Sequence, residues 1–343
     1  MHFTSPPSPL DFKQPLLNSA PAHCLQRREN FSVVRVTALL TLLYVFGPPI
    51  ERLHAQGSLT PPGAPAPTMK SLDQVEARTA ILNTSSLVKI TQPRSYYLTG
   101  NLTVSSGDGI DILTNGVTLD LNGFTIRSTA ASPTGTGILI TSGLSEITIF
   151  NGHIRSDVTN NGSGFYGGSG FNNGIYCTGI APMNVLVSRI SVSGCLGSAI
   201  FLFNGDTTVV EACMVRAAGT YGIAASTIKS SSAIDCGNTA IAGVQITDCH
   251  GESSGGGFGV SASTAQNCFG IGQGSGFGVG ATTALNCHGQ SSSGIGLSID
   301  GTASGCSGYS SSGTGLLAFM ANSCRGQTST GTALIVTHNA NSF

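Results

Sequence analysis

One position recurs along the second half of the chain, and its spacing constrains the fold more than any other feature. A slot filled by Cys or Ser returns every 18 or 19 residues. It holds Cys213, Ser231, Cys249, Cys268, Cys287, Cys306 and Cys324. An apolar residue, usually preceded by Gly, follows each slot after ten or eleven residues, as Val260 follows Cys249. The slot and the apolar residue keep the same spacing over seven repeats, and the apolar segments between them have the length of strands. This pattern predicts a β-solenoid.

The residue before the slot predicts how each coil turns. It is Asp248, Asn267, Asn286, Gly305 or Ser323 in the later repeats, with Ala212 as an exception. Asn, Asp and Gly tolerate the left-handed backbone region, in which a single residue bends the chain sharply. We therefore expect a corner at this residue and an inward side chain at the slot. Asp235-Cys236 and Gly194-Cys195 repeat the pattern outside the main register.

The chain upstream of the slots is less regular but still typical of strands. Val117, Leu119 and Leu121 alternate with polar residues, and Asn122-Gly123 is a strong turn signal. A segment rich in Gly and Asn, residues 159–174, is predicted to be a loop that interrupts the coils.

The composition excludes two classes of protein. Charged residues make up only 9% of the chain, and 15 Lys and Arg balance 16 Asp and Glu. This balance leaves no basic surface for nucleic acid, so no nucleic-acid partner is expected. The chain is 40% hydrophobic, which is too apolar for a disordered protein.

The N-terminal region has the order of a secretory signal peptide. Arg27, Arg28 and Arg35 precede an apolar run over residues 36–47, and a double proline ends that run. Twelve apolar residues are too few for a membrane span, which needs about 20. We expect cleavage near Ala55, no membrane span in the mature chain, and a secreted, periplasmic or cell-surface location. A retained anchor is the alternative.

The predicted organisation has four parts. Residues 1–55 are the signal peptide, residues 56–70 a Pro-rich linker, residues 71–94 an N-terminal cap with a short helix, and residues 95–343 the solenoid domain. Ser71 and Gln74 have the spacing of a helix capping box, which supports the helix. A flexible leader is the alternative for this segment.

The coils resemble a known family. They look like secreted bacterial right-handed parallel β-helix repeat proteins, which have the fold of pectate lyases. The likeness lies in the recurring Asn-Cys and Gly-Ile pairs and in residues 68–81 (TMKSLDQVEARTAI), 90–104 (ITQPRSYYLTGNLTV) and 115–126 (NGVTLDLNGFTI). The resemblance covers about residues 57–335. It implies an all-β, single-stranded right-handed parallel β-helix of about twelve coils. It says little about function, because the fold serves lyases, hydrolases and adhesins alike.

The cysteines form a predicted structural ladder. Its members are Cys213, Cys249, Cys268, Cys287, Cys306 and Cys324. Equivalent residues on adjacent coils lie about 4.8 Å apart with parallel side chains, which is longer than the Cβ–Cβ separation that a disulfide prefers. Buried free thiols are favoured over disulfides, and a linear ladder is a poor tetrahedral metal site.

Candidate catalytic residues are few. His153, Arg155 and Asp157 alternate after Asn151-Gly152, so they project from one side of an extended segment and can form an acid–base site. An exposed polar edge of a strand is the interpretation that we favour over such a site. Asp108 and Asp111 are the candidate metal ligands, for Ca²⁺, only if the protein is a lyase. No other cofactor is expected. His250 and His288 lie two coils apart, too far to share one metal ion.

Three functions remain open. The first, which we favour, is an exported, non-catalytic surface, adhesive or structural protein that contacts glycans. The Ser- and Gly-rich loop after each slot can bind a glycan, with Tyr309 or Phe269 as a stacking ring, and solvated turns are the alternative for these loops. The second is a carbohydrate-active enzyme, lyase-like or hydrolase-like, acting on extracellular polysaccharide. The third is a repeat module that associates end to end, because the tail after Val336 is short for a cap.

Overall fold

The computed structural model describes residues 77–203 and 207–340, without the side chains of residues 339 and 340. Over this range the chain forms only strands and connections. No helix in these residues is long and apolar enough to cross a membrane. The strands are β1 (Thr79–Ile81), β2 (Val88–Ile90), β3 (Ser95–Leu98), β4 (Leu102–Val104), β5 (Ile110–Ile112), β6 (Val117–Asp120), β7 (Thr125–Ser128), β8 (Thr136–Ile140), β9 (Ser145–Arg155), β10 (Thr159–Asn160), β11 (Tyr166–Gly167), β12 (Asn173–Cys177), β13 (Met183–Cys195), β14 (Ile200–Phe201), β15 (Thr208–Glu211), β16 (Met214–Ala218), β17 (Ile223–Ala224), β18 (Thr227–Lys229), β19 (Ser232–Cys236), β20 (Ile241–Thr247), β21 (His250–Ser253), β22 (Phe258–Gln266), β23 (Phe269–Gly272), β24 (Phe277–Leu285), β25 (His288–Ser291), β26 (Leu297–Ser304), β27 (Ser307–Ser310), β28 (Leu316–Asn322), β29 (Arg325–Thr328) and β30 (Leu334–Ala340).

These strands wind into a parallel β-solenoid of about 14 turns, which confirms the predicted β-helix fold. A sheet of 28 strands contains every strand except β10 and β11, which form a separate antiparallel hairpin. The number of turns exceeds the twelve coils that were predicted, in part because β1 and β2 lie within residues 71–94, which were assigned to the N-terminal cap. They pair with β3 and β5 and so already belong to the solenoid.

Each coil contributes to three faces. Face A contains β1, β3, β6, β15, β18, the first parts of β9 and β13, and the second parts of β20, β22, β24, β26, β28 and β30. Face B contains β4, β7, β16, β19, β21, β23, β25, β27, β29 and the second parts of β9 and β13. Face C contains β2, β5, β8, β12, β14, β17 and the first parts of β20, β22, β24, β26, β28 and β30.

The predicted signal peptide, linker and cap helix fall on residues that lie outside the described ranges, apart from Ala77 and Arg78 at the end of the helix segment. Neither of those two is helical. The organisation of the first 76 residues therefore stays a prediction.

The corners between faces A and B confirm the predicted turn chemistry. Asp248, Asn267 and Asn286 have φ angles of 55°, 52° and 52°, and Ala212, the exception by residue type, adopts 52° as well. Asp235, predicted from its Asp-Cys pair outside the main register, also has a φ of 55°, but it lies within β19 at a register shift of face B rather than between faces A and B. One left-handed residue per corner thus redirects the chain from face A to face B.

The slot residue completes this corner through its side chain. The thiols of Cys249 and Cys268 each donate to the carbonyl two residues earlier, at 3.1 Å, and the hydroxyl of Ser231 does the same at 2.7 Å. The backbone N–H of Cys287 donates to the Cys306 sulfur of the next coil at 3.4 Å. A slot therefore needs a small side chain that is a donor and an acceptor, which explains why Ser replaces Cys once.

The nine described cysteines are all buried free thiols. Burial raises the pKa of Cys195 to about 12 and that of Cys213 to about 11, because a buried thiolate is poorly solvated. The interactions with Cys268 and Cys306 raise the pKa of Cys287, and the interaction with Cys287 lowers the pKa of Cys306. Cys306 is only 2% exposed, so reagents cannot reach it in the folded protein.

The interior narrows toward the C-terminal end. The inward row of face A begins with large side chains and ends with alanine, in the order Leu119, Ile149, Val187, Val210, Ile228, Ile246, Ala265, Ala284, Ala303 and Ala321. On face B the inward residue of the last coils is glycine. A methyl group added at Gly289 would overlap the Gly296 carbonyl oxygen, so face B lies directly against the start of face C.

The close approach of face B to face C corrects the expectation that loops follow the slots. The segments after the slots were predicted to be Ser- and Gly-rich loops, but their first four residues are the face B strands β21, β23, β25, β27 and β29. Their glycines belong to the interior rather than to turns. Ser253, Ser291 and Ser310 are buried. The Ser291 hydroxyl holds the following turn by accepting the Gly294 N–H at 2.9 Å, and it donates to the Gly276 carbonyl of the preceding coil at 2.6 Å.

We predict that Cys306→Ala destabilises the protein more than Cys306→Ser. Alanine leaves the buried N–H of Cys287 without its acceptor, which costs about 1–3 kcal/mol, whereas serine keeps an acceptor and a donor. Cys195→Ala is the matched control, because the Cys195 sulfur makes no hydrogen bond to another described residue. Urea unfolding followed by circular dichroism measures the differences. Equal losses for the two Cys306 variants would contradict the proposed role of the slot.

Candidate functional site

A groove of about 660 Å³ lies on face B and brings the three predicted catalytic candidates together. His153, Arg155 and Asp157 all line it. His153 and Arg155 point outward from β9, and Asp157 follows where the chain leaves the face. The alternation that predicted a common side is therefore correct, and the structure adds partners from neighbouring coils.

Two outward rows of side chains form the floor of the groove. In one row His153 lies between Thr125 and Ser191 on the adjacent coils. In the other, Arg127, Arg155, Ser193 and Arg216 occupy successive coils. Because coils are spaced by about 4.8 Å, the α-carbons of Arg155 and Arg216 lie about 10 Å apart with the Ser193 hydroxyl between them.

Asp157 is engaged in an ion pair. An Nη of Arg127 donates to its Oδ2 at 2.7 Å, and the two side chains are 43% and 44% exposed. The Arg127 Nε is buried and has no partner among the described residues. Exposure of this degree makes the pair weak in stability terms, but it orients both side chains at the edge of the groove.

Asp235 holds the wall of the groove in place. Its Oδ1 accepts hydrogen bonds from the Asn160 amide at 2.7 Å, the Tyr166 hydroxyl at 2.9 Å and the Ser254 hydroxyl at 3.0 Å. Asn160 and Tyr166 belong to the hairpin β10–β11, within the segment predicted to be an interrupting loop. Asp235 thus fastens this hairpin onto coils that come later in the chain.

The environment of Tyr166 reflects this attachment. Burial, followed by the hydrogen bond to Asp235 and the charge of that carboxylate, raises the pKa of Tyr166 well above its usual value. Ionisation of the phenol would place a second negative charge beside Asp235, so the attached hairpin requires the neutral form.

The charges that remain available in the groove are positive. The carboxylates of its two acids already have partners, because Asp157 pairs with Arg127 and Asp235 accepts hydrogen bonds from the hairpin. Arg155 and Arg216 form no hydrogen bond or ion pair with any described residue. A concave surface with two unpaired guanidinium groups and a hydroxyl between them is suited to an anionic oxygen group.

The candidate metal ligands do not extend into a larger cluster. The Asp108 carboxylate accepts the Thr136 N–H at 2.6 Å, and Asp111 pairs across strands with Lys89. Burial and the nearby Asp108 raise the pKa of Asp111, against the opposing charge of Lys89. Within residues 77–203 and 207–340, no three His, Cys, Asp or Glu side chains lie close enough together to hold a metal ion.

Other side chains cover both faces of the Phe269 ring, which was predicted to stack against a sugar. His250 and His288 cover its two faces, with ring centroids 5.0 Å and 5.2 Å away. His250 and His288 are thus two coils apart, as predicted, and a sugar cannot lie flat on Phe269. The Tyr309 hydroxyl lies within 3.1 Å of Ser329 in a hydrogen bond.

Sequence reasoning missed Arg127, Arg216 and the attachment at Asp235. Arg127 and Arg216 share a row with Arg155 only once the coils are in register, and these coils differ in length. The alternating pattern around Arg127 (TIRS) was the available signal. Asp235 was assigned to turn chemistry, which its φ angle confirms, but that does not reveal its three side-chain donors.

Comparisons with known proteins add little beyond the fold. No known family matches the sequence, and no curated protein matches it. One similar solved structure is a GH136 lacto-N-biosidase from Eubacterium ramulus, in its selenomethionine form, at 10% identity and a TM-score of 0.32. The match covers 77% of this chain and 60% of that enzyme, so the chain spans less than two thirds of its length. We draw no functional conclusion from it.

We predict that Asp235→Ala releases the β10–β11 hairpin without unfolding the solenoid. The substitution removes one acceptor shared by three donors, and the coil backbone hydrogen bonds do not involve this side chain. Hydrogen exchange of residues 159–170 should accelerate, while the strands of face A keep their protection. Asp248→Ala is the matched control, because Asp248 is also a left-handed Asp but lies at a corner between faces A and B. Unchanged exchange in the hairpin would show that Asp235 does not hold it.

We predict that the hairpin also detaches at alkaline pH. A released Tyr166 ionises near the ordinary value of 10.0, whereas the attached residue keeps its proton to higher pH, so attachment weakens as pH rises above that value. Tyrosinate absorbance, compared between the wild type and Tyr166→Phe, isolates the titration of this residue. In Asp235→Ala its midpoint should fall back toward 10.0. A Tyr166 that titrates at its ordinary value in the wild type would contradict this account.

Proposed function

We propose that the protein is an exported β-helix that binds acidic extracellular glycans in the groove on face B and does not cleave them. The β-helix fold is the established part of this statement. The basic and apolar order of residues 27–47 supports export. The ligand class is inferred from the charges of the groove.

The observation that carries the proposal is the pair Arg155 and Arg216 on either side of Ser193. In a chain with 9% charged residues, two guanidinium groups without partners in one groove are a marked concentration of positive charge. Uronate carboxylates and sulfate esters are the anionic groups of extracellular polysaccharides. Both accept the paired N–H groups of arginine in a defined geometry, and the Ser193 hydroxyl can donate to them as well.

The same geometry argues against hydrolysis. A glycosidase of the usual kind requires two carboxylates that are free to act as acid and as base or nucleophile. Asp157 and Asp235 are the acids that line the groove, and each is held by protein donors. A lyase-like enzyme using His153 as the base is the alternative, since His153 has no hydrogen-bond partner among the described residues.

We predict that Arg155→Gln and Arg216→Gln each weaken the binding of an acidic polysaccharide by about tenfold to a hundredfold. Each loses one or two charge-assisted hydrogen bonds, worth about 1.5–3 kcal/mol. Arg325→Gln is the matched control, because this arginine also lies on face B but far from the groove. Titration calorimetry against pectate, alginate and a sulfated galactan, with a neutral glucan alongside, measures the affinities.

Two outcomes would change the proposal. Equal losses with Arg325→Gln would place binding outside the groove. Turnover of any polysaccharide in the same panel, followed by unsaturated products and reducing ends with and without Ca²⁺, would establish the enzymatic alternative. In that case His153→Ala and Asp157→Ala should abolish activity.

A further inference from the structure

A second cavity, of about 390 Å³, lies on face C and plays no part in the basic groove. It is lined by Phe201, Phe203, Tyr221, Ala224, Thr239, Ala242, Phe258 and Ser261. Its volume falls within the range of about 300–1,000 Å³ that is common for small-ligand sites. None of these residues was a candidate from the sequence.

Small side chains form the floor of this cavity. Phe201, Ala224, Ala242 and Ser261 occupy the same outward row on four successive coils. Toward its two ends this row carries larger residues, including Leu139 and Leu317. Gly280 and Ser298 on the next two coils are also small, but the Phe258 ring covers Gly280, so the depression is limited to the coils of Ala224, Ala242 and Ser261.

Aromatic rings close both ends of the floor. At one end the Phe201 ring stacks against Tyr176 at 5.3 Å and meets Phe203 edge-on at 4.6 Å. At the other end the Phe258 ring covers Gly280, where any side chain would overlap it, and packs edge-on against Phe277 at 4.9 Å. These contacts fix the rings before any ligand arrives.

Among the residues that the structure describes, the lining contains no Asp, Glu, Lys, Arg or His. Its polar groups are the hydroxyls of Tyr221, Thr239 and Ser261, which alternate with the rings. An aromatic face carries partial negative charge and attracts the slightly positive C–H groups of a sugar ring. Hydroxyls beside such a face donate to and accept from the equatorial hydroxyls of the same sugar. A charged ligand would lose its hydration here without gaining a counter-charge.

We propose that this cavity is a second carbohydrate site, which takes a neutral pyranose unit of a glycan. It is separate from the arginine groove in residues, face and ligand charge, so it stands or falls independently of the proposed function. The protein then contacts an acidic group through face B and an uncharged sugar through face C.

The test fills the cavity without removing a ring. Ala242→Leu places in the floor a side chain that Leu139 and Leu317 show the row to tolerate. Ser298→Leu makes the same kind of change in the same row but outside the lining, and is the matched control. Neutral hexasaccharides of glucose, mannose, xylose and N-acetylglucosamine are the probes, titrated by calorimetry and by saturation-transfer NMR.

We expect at least one probe to bind the wild type, with the affinity falling at least about tenfold in Ala242→Leu. It should be unchanged in Ser298→Leu and in the double variant Arg155→Gln/Arg216→Gln. The inference is overturned if no neutral probe binds, or if Ala242→Leu binds as well as the wild type. If either of these results is obtained while acidic glycans still bind, the proposed function of the arginine groove is unaffected. If acidic glycans do not bind but a neutral probe does, only the proposal for the groove is refuted.

Discussion

The closure of one corner sets the regularity of the whole solenoid. A left-handed residue turns the chain from face A to face B, and the buried Cys or Ser that follows bonds back across the corner and receives the N–H of the preceding coil. Because this contact passes between coils as well as within them, it fixes the register of face B from Cys213 onward. On the two coils before Cys213 the slot positions are Gly152 and Ile190, and there the left-handed corners at Asn151 and Arg189 bring Arg155, Ser193 and Arg216 into one row.

The thin interior explains why all recognisable chemistry is on the outside. In the last coils the backbone of face B touches the start of face C, so the inward positions of faces A and B are alanine, glycine and serine, and large inward side chains such as Leu297 and Leu316 remain only on face C. Such a core cannot contain a charged group with its hydrogen-bonding partners. The charged and aromatic side chains are therefore displayed on outward rows, where residues from adjacent coils meet at intervals of about 4.8 Å.

The sequence predicts the periodic part of this structure well. The slot spacing, the left-handed corners and the common side of His153, Arg155 and Asp157 follow from local patterns, and the structure agrees with each. It does not predict which coils lie in register where their lengths differ, so Arg127 and Arg216 could not be placed beside Arg155. The glycines after the slots look like turn residues, because a close backbone approach has no local signature. Asn160 and Asp235 are 75 residues apart, beyond any local pattern.

The hairpin β10–β11 has a consequence for how the molecule assembles. A chain that leaves the ribosome or a secretion channel from its N-terminus can stack its early coils in sequence, yet the wall of the groove is fastened to a residue that emerges much later. The floor of the groove is complete once β16 has joined face B. The hairpin can be held only after β19, which contains Asp235, has folded. The groove is thus a late product of folding although most of its side chains come early, and a stalled or shortened chain would display the arginines on an open, unwalled surface.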